Sequence, residues 1–305
     1  MRVGSSHWAI ASRLARDPSA ASGLYLVDLK AKRSSALTAD VSAPAVARYR
    51  ECPGPPDLRQ MITHGLDLRW RAANEGELFA VNHGGRQSVE VFDLKLGRDG
   101  VKLRWTGCVI VPDDILANAV AALPDGIAVT SFGERDDKQF ANLLAGRPSG
   151  FVATWSPGNG WSHVPGSRFA ADNGIALAAD GHALYVNGWG DGTLHILPLR
   201  KGTPAATIRL GDFHPDNVHL LPDGKLLIAG QAGAPGDIFA CDKGTACPVG
   251  SRIVIVDPLT RAVLPQVSAA PSSTFGAASA VLLFEHQYWA SSFLGDRLER
   301  LGRRH

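Results

Sequence analysis

Four stretches of this 305-residue chain set an amide, a carboxylate or an imidazole directly against an apolar run. They are His64-Gly65-Leu66-Asp67-Leu68, Asn118-Ala119-Val120, Asp172-Asn173-Gly174-Ile175 and Asp216-Asn217-Val218-His219-Leu220. Asn and Asp are poor strand formers and usually belong to turns, where the side chain meets backbone amides. One such Asn would be read as a turn cap. Three at matching positions, two of them beside an Asp, form a set of hard oxygen donors once the chain brings them together. Asn118, Asn173, Asp216 and Asn217 would suit Ca²⁺, which takes about 6–8 oxygens in loose geometry, better than zinc, which prefers His and Cys. His83 stands in Val-Asn-His-Gly-Gly. Taken alone it would be a turn histidine at a hairpin.

The elements that must position these groups are short strands. After each polar opening comes a turn and then a second apolar run: Leu78-Phe79-Ala80-Val81, Ile127-Ala128-Val129, Ala183-Leu184-Tyr185-Val186 and Leu226-Leu227-Ile228-Ala229. Three of the turns are Pro124-Asp125-Gly126, Asp180-Gly181 and Pro222-Asp223-Gly224. The openings at 64, 118, 173 and 217 recur roughly every 45–55 residues, a period that points to an array, first of all a β-propeller. In that architecture the first strand of each blade lines a central channel, so equivalent residues converge at one mouth. Ser88 to Leu94 alternates as a half-exposed strand paired across Gly84-Gly85. Residues 134–149 are polar and suit a short helix or lid loop. Residues 231–250 form a loop insertion. No linker splits the chain, which reads as a single domain over 1–305. Phe132 and Trp189 follow inner strands and suit either an apolar substrate wall or plain packing. His64 is expected to be structural, His219 faces either way, and Asp67 and Glu134 are expected to reach only solvent. His214 and Gln231 lie near the candidate site in sequence.

Composition narrows the function classes. The formal net charge is +2, which implies no nucleic-acid partner, and the basic end from Arg297 to His305 reads as a solvated terminus. No apolar run approaches the ~18 residues of a membrane span. There are 33 Gly and 19 Pro, with turns such as Pro-Asp-Gly but few amphipathic helical patterns. No Gly-x-Ser-x-Gly context appears, which argues against a serine hydrolase. Cys241 and Cys247 would close a small loop as a disulfide in an oxidising compartment and stay as thiols in the cytosol; the disulfide is favoured. Cys52 and Cys108 either pair or stay free. Met1-Arg2-Val3-Gly4 has no signal-peptide character and reads as the middle of a strand.

Together these motifs resemble the paraoxonase/arylesterase family, within the wider group of senescence-marker-protein and gluconolactonase propellers. The resemblance rests on His64-Gly65-Leu66, on Val81-Asn82-His83-Gly84-Gly85 with Ser88-Val89-Glu90-Val91-Phe92, and on Asn118, Asn173-Gly174-Ile175 and Asp216-Asn217 in order. It runs from about Gly23 to Phe293. It implies an all-β, six-bladed β-propeller of four-stranded antiparallel blades, with a catalytic Ca²⁺ in the tunnel and a small-molecule lactone or aryl ester as substrate. Asn118, Asn173, Asp216 and Asn217 match the calcium ligands, and His83 the histidine that activates water. Three departures stand out. The family's Glu ligand would lie before Met1, so an N-terminal strand is expected to be missing, and a full-length form is expected to be periplasmic or secreted. Ala119 replaces the Asp of a second calcium. The histidine that partners the catalytic one falls near Leu103, so His83 is expected to act alone or with a carboxylate. The alternatives are a sugar lactonase of the gluconolactonase kind and a non-catalytic binding scaffold.

Overall fold

The computed structural model of the protein describes residues 1–13, 23–133, 138–241 and 247–303. Six small sheets, antiparallel except where β4 meets β8, make it an all-β protein of the six-bladed β-propeller class. The chain divides into two compact units, 1–128 with 155–161 and 129–154 with 162–305.

The first unit holds β1 (Trp8–Arg13), β2 (Gly23–Asp28) and β3 (Arg33–Ala36) as one sheet in that order. The second sheet, ordered β4-β8-β7-β6-β5, has β4 (Ala39–Asp40), β5 (Thr63–Ala72), β6 (Glu75–Asn82), β7 (Ser88–Gly97) and β8 (Gly100–Ile110). Met1 to Val3 does not run as a strand. It folds back on β1 through a single bridge between Arg2 and Ala9. The run Leu78 to Val81 is uninterrupted in apolar character because both faces of β6 are covered; all four residues are fully buried. Leu78 and Ala80 pack with Phe92, Leu94 and Trp105 in this unit's core. Cys52 and Cys108 are joined as a disulfide.

The division between units runs through the third sheet, ordered β12-β11-β10-β9: β9 (Ala117–Leu123), β10 (Gly126–Ser131), β11 (Phe151–Ser156) and β12 (Gly160–His163). The polar stretch after β10 carries α1 (Lys138–Leu144). In the second unit, β13 (Asp172–Leu177), β14 (Ala183–Gly188), β15 (Thr193–Pro198) and β16 (Ala206–Arg209) follow in order. So do β17 (His214–Leu220), β18 (Leu226–Ala232), β19 (Gly250–Val256) and β20 (Val263–Ala269). The last sheet is β21 (Ala278–Phe284), β22 (Gln287–Ser292) and β23 (Leu298–Arg303). The insertion after β18 carries α2 (Pro235–Phe239), and a disulfide joins Cys241 to Cys247.

Strand number departs from a uniform four: among the described residues the sheets have three, five, four, four, four and three strands. The basic end is also not a loose tail. Arg297 to Arg303 leads into β23, where the Arg300 guanidinium lies over the Trp289 ring, 5.7 Å from its centroid. Among the described residues no helix is long and apolar enough to cross a membrane.

One local device recurs at the polar openings. In β5, Thr63 faces Asn82 and Leu66 faces Ala80, so His64 and Gly65 together oppose Val81. In β13, Asp172 faces Gly188 and Ile175 faces Val186, so Asn173 and Gly174 oppose Asn187. In β17, Asp216 and Asn217 oppose Ala229, and in β21 Ser279 is the extra residue. Each is a β-bulge, which inserts one residue and re-aims the side chains beside it. Turn-favouring residues are tolerated here because a bulge is a break in strand regularity. Gly65 and Gly174 are required by space. A Cβ on Gly65 would lie 2.5 Å from the Asn118 carbonyl oxygen, and one on Gly174 would lie 2.7 Å from Asn217 Cα and closer still to the Asp216 carbonyl oxygen.

Candidate functional site

In the first unit, β5 and β9 come together where Gly65 meets the Asn118 backbone, so His64 and Asn118 are near neighbours. His83 follows β6 and is half-buried. Its Nε2 lies 3.2 Å from His64 Nδ1, and its Nδ1 lies 2.8 Å from Gln87 Oε1. Gln87 Oε1 can only accept, so His83 Nδ1 carries the proton and His83 Nε2 accepts from His64 Nδ1–H. This tautomer chain leaves the basic lone pair of His64 on Nε2. The expectation that His83 has no histidine partner is therefore corrected. Leu103 is a buried core residue of β8, while the partner is His64, whose sequence context suggests only a structural role. The signal was present, since both histidines stand at strand ends beside glycines, but their pairing depends on the β5–β6 register. Asp67 is not merely solvent-facing: its Oδ2 accepts the Ala122 N–H at 2.7 Å, and burial raises its pKa. Glu134 lies outside the described residues.

The second unit brings Asn173, Asp216 and Asn217 together through the approach of β13 and β17 at Gly174. Asn173 is buried, and its Oδ1 receives no hydrogen bond. Asn217 Nδ2 donates to Asp216 Oδ1 at 2.9 Å and to the Ser279 carbonyl at 3.1 Å. Gln231 Nε2 donates to Asp216 Oδ2 at 2.8 Å and to the Ala278 carbonyl at 2.9 Å. Gln231 is itself held, because Trp189 Nε1 donates to its Oε1 at 2.7 Å. Burial raises the Asp216 pKa to about 7, against the pull of the Gln231 bond. Burial likewise lowers His219 to about 3, so this imidazole is neutral and no acid near neutral pH. A series of side chains ties each second strand to the next inner strand: Thr130 Oγ1 to the Asn173 carbonyl at 2.6 Å, Asn187 Nδ2 to the Asp216 carbonyl at 2.7 Å, then Gln231 to Ala278.

Trp189 connects this cluster to an aromatic group. Its ring stacks on His214 with centroids 4.4 Å apart, meets Phe132 edge-on at 5.9 Å and lies 5.3 Å from Phe239 of α2. Trp189 also packs with Leu143, Ile238, Cys241 and Cys247. The insertion after β18 thus covers the aromatic group, and its disulfide pins that cover.

Ca²⁺ is the group that the expected ligands imply, and the donor set of the second unit fits it. Asn173 Oδ1 is a buried acceptor with no donor, and Asp216 is a carboxylate whose ionisation burial disfavours. A hard cation would satisfy both, and a counter-charge restores the carboxylate form. Amide oxygens with one carboxylate are oxygen chemistry. Among the described residues, no group of three or more His, Cys, Asp or Glu is placed to hold a metal. Asn118, the remaining expected ligand, stands beside His64 in the first unit.

The sequence matches no protein-family description, and no curated protein matches it. Among solved structures it is similar to a luciferin-regenerating enzyme at 14% identity, covering 90% of this chain and 78% of that one, with a TM-score of 0.49. It is similar to a Bacteroides uniformis protein provisionally described as a 6-phosphogluconolactonase, at 13% identity, 96% and 94% coverage and a TM-score of 0.47. It is also similar to a chain of a nidogen–laminin complex, at 11% identity, 94% and 85% coverage and a TM-score of 0.48. At such identities these likenesses decide neither activity nor substrate.

Proposed function

We propose that this chain is a calcium-dependent hydrolase of small-molecule esters or lactones. The observation that carries the reading is the acceptor-rich cluster of Asn173, Asp216 and Asn217, in which a buried amide oxygen has no hydrogen-bond donor and a half-buried carboxylate is met by neutral amides. These three residues would hold the cation. Bound Ca²⁺ supplies Lewis acidity toward a carbonyl oxygen, typically worth several kcal/mol of charge stabilisation.

The chain's own part is proton handling and substrate packing. His64 Nε2 takes a proton from water, and the resulting imidazolium hands its Nδ1 proton to His83 Nε2, so that His83 is the second station of the transfer. Gln87 holds His83 in the tautomer this requires. A positioned base of this kind contributes about 10²–10⁴-fold. Phe132, Trp189 and Phe239 supply an apolar surface of the kind that takes acyl or aryl groups.

Hydrolysis of an acyl-lactone and aryl-ester panel with and without chelator tests this. Activity lost on chelation, restored by Ca²⁺, and reduced about 10²-fold or more in His64→Gln and His83→Gln is the expected result. Turnover indifferent to chelator and to Asn217→Ala would defeat it.

A further inference from the structure

Asn187 is absent from the repeated motif, lying on a second strand rather than an inner one. It stands opposite the bulge formed by Asn173 and Gly174, framed by the pairs Asp172–Gly188 and Ile175–Val186. It is fully buried. Its Nδ2 donates to the Asp216 carbonyl at 2.7 Å, and this bond fixes which way the amide faces, because the flipped amide would set oxygen against oxygen. With Nδ2 so engaged, Oδ1 is left buried and without a donor, as is Asn173 Oδ1 across the bulge. A buried acceptor left unmet costs about 1–3 kcal/mol, so two on facing residues are an expensive coincidence unless something positive sits among them.

We propose that Asn187 Oδ1 is a further oxygen donor to the cation of the second unit, alongside Asn173, Asp216 and Asn217. The inference rests on the calcium reading above and deepens it. Asn187 would supply, from a second strand, one of the oxygens that the motif residues do not provide. It adds no charge: Asp216 stays the one anionic ligand among these four. Low ligand charge belongs with the weaker end of calcium affinities.

The neighbouring tie shows how to separate this role from a structural one. Thr130 makes the same bond to an inner-strand carbonyl as Asn187 does, with a hydroxyl in place of the amide. Asn187→Thr therefore offers a hydroxyl donor in place of the amide and deletes the amide oxygen, and the metal-free melt reads whether the tie is kept. Ca²⁺ binding by calorimetry, Tb³⁺ luminescence excited through tryptophan, and the melt of the metal-free protein are read on the whole chain. Loss of even an outer partner of a metal ligand typically costs ten- to a hundredfold in affinity, so Asn187→Thr is expected to weaken Ca²⁺ and Tb³⁺ binding by at least about tenfold while the metal-free melt stays within a few degrees. Wild-type affinity in Asn187→Thr, with Asp216→Asn unable to bind, would overturn the role of Asn187 and leave the calcium reading standing. No Ca²⁺ or Tb³⁺ binding by the wild type would overturn both.

Discussion

Replacing Gly174 by Ala adds one methyl group at the contact that joins the two polar bulges of the second unit. Its backbone is in a region open to alanine, so the effect is one of space alone. The new Cβ would stand 2.7 Å from Asn217 Cα and 2.8 Å from Val218 N, with the Asp216 carbonyl oxygen nearer still, whereas ordinary contact begins at 3.4 Å. The obstacle is backbone on every side, so β13 and β17 must part by at least the difference of about 0.7 Å. Overpacking of this kind costs about 1–3 kcal/mol. At about 2–4 °C per kcal/mol for a unit of 150–250 residues, the melt should fall by roughly 2–12 °C. The displacement falls on the residues proposed to share a cation, and misplacement on the order of 1 Å can cost about 10²-fold in a positioned site. Thermal melts with and without Ca²⁺, and calorimetric Ca²⁺ titration, read both effects. Gly236→Ala is the control, since nothing lies within 4 Å of its added methyl group. A Gly174→Ala protein with wild-type melt and wild-type Ca²⁺ affinity would refute the reasoning that the Asn173 and Asp216–Asn217 bulges are locked together there.

Gly65→Ala is expected to act in the same way on the first unit, lowering stability by about 1–3 kcal/mol and disturbing the His64–His83 pair, readable as a shift in the histidine titration seen by NMR. Losing the Cys52–Cys108 disulfide, which closes 56 residues, should cost about 4 kcal/mol in denaturant melts, and losing Cys241–Cys247, which closes 6, about 2 kcal/mol, from loop entropy. Paired Cys→Ser variants check this, and the reverse order of effects would contradict it. Burial holds the His195 pKa below its ordinary value, so the folded protein binds a proton there less readily than the unfolded chain does. Stability is therefore expected to fall as pH drops below about 6.5, and His195→Gln should flatten that slope in pH-dependent melts, whatever its effect on stability at neutral pH.

Much of the fold was legible in local pattern. The apolar runs at Leu78 and Leu226 are strands because they are short, rich in β-formers and bounded by turns, and burial on both faces keeps them free of polar alternation. Arg297 to Arg303 misled because charge dominates its composition, although Leu298 and Leu301 give it a half-buried face and β22 gives it hydrogen-bond partners. Cysteine spacing left the pairing of Cys52 with Cys108 open, because only the approach of two distant segments brings those sulfurs together.

The amino-acid order by itself determined that polar residues open successive strands at a regular interval, and so that a set of oxygens and imidazoles would recur through an all-β array. Tertiary structure alone decided their company. His64 meets His83 because β5 and β6 pair in one register with a bulge at His64-Gly65, and a shift of one residue would turn the side chains to the other face. Asn187 enters the picture only through the same kind of bulge at Asn173-Gly174, which sets two residues of β13 against one of β14. Period and residue type are properties of one strand; register and bulge belong to pairs of strands, and the groupings of the candidate site were made between strands.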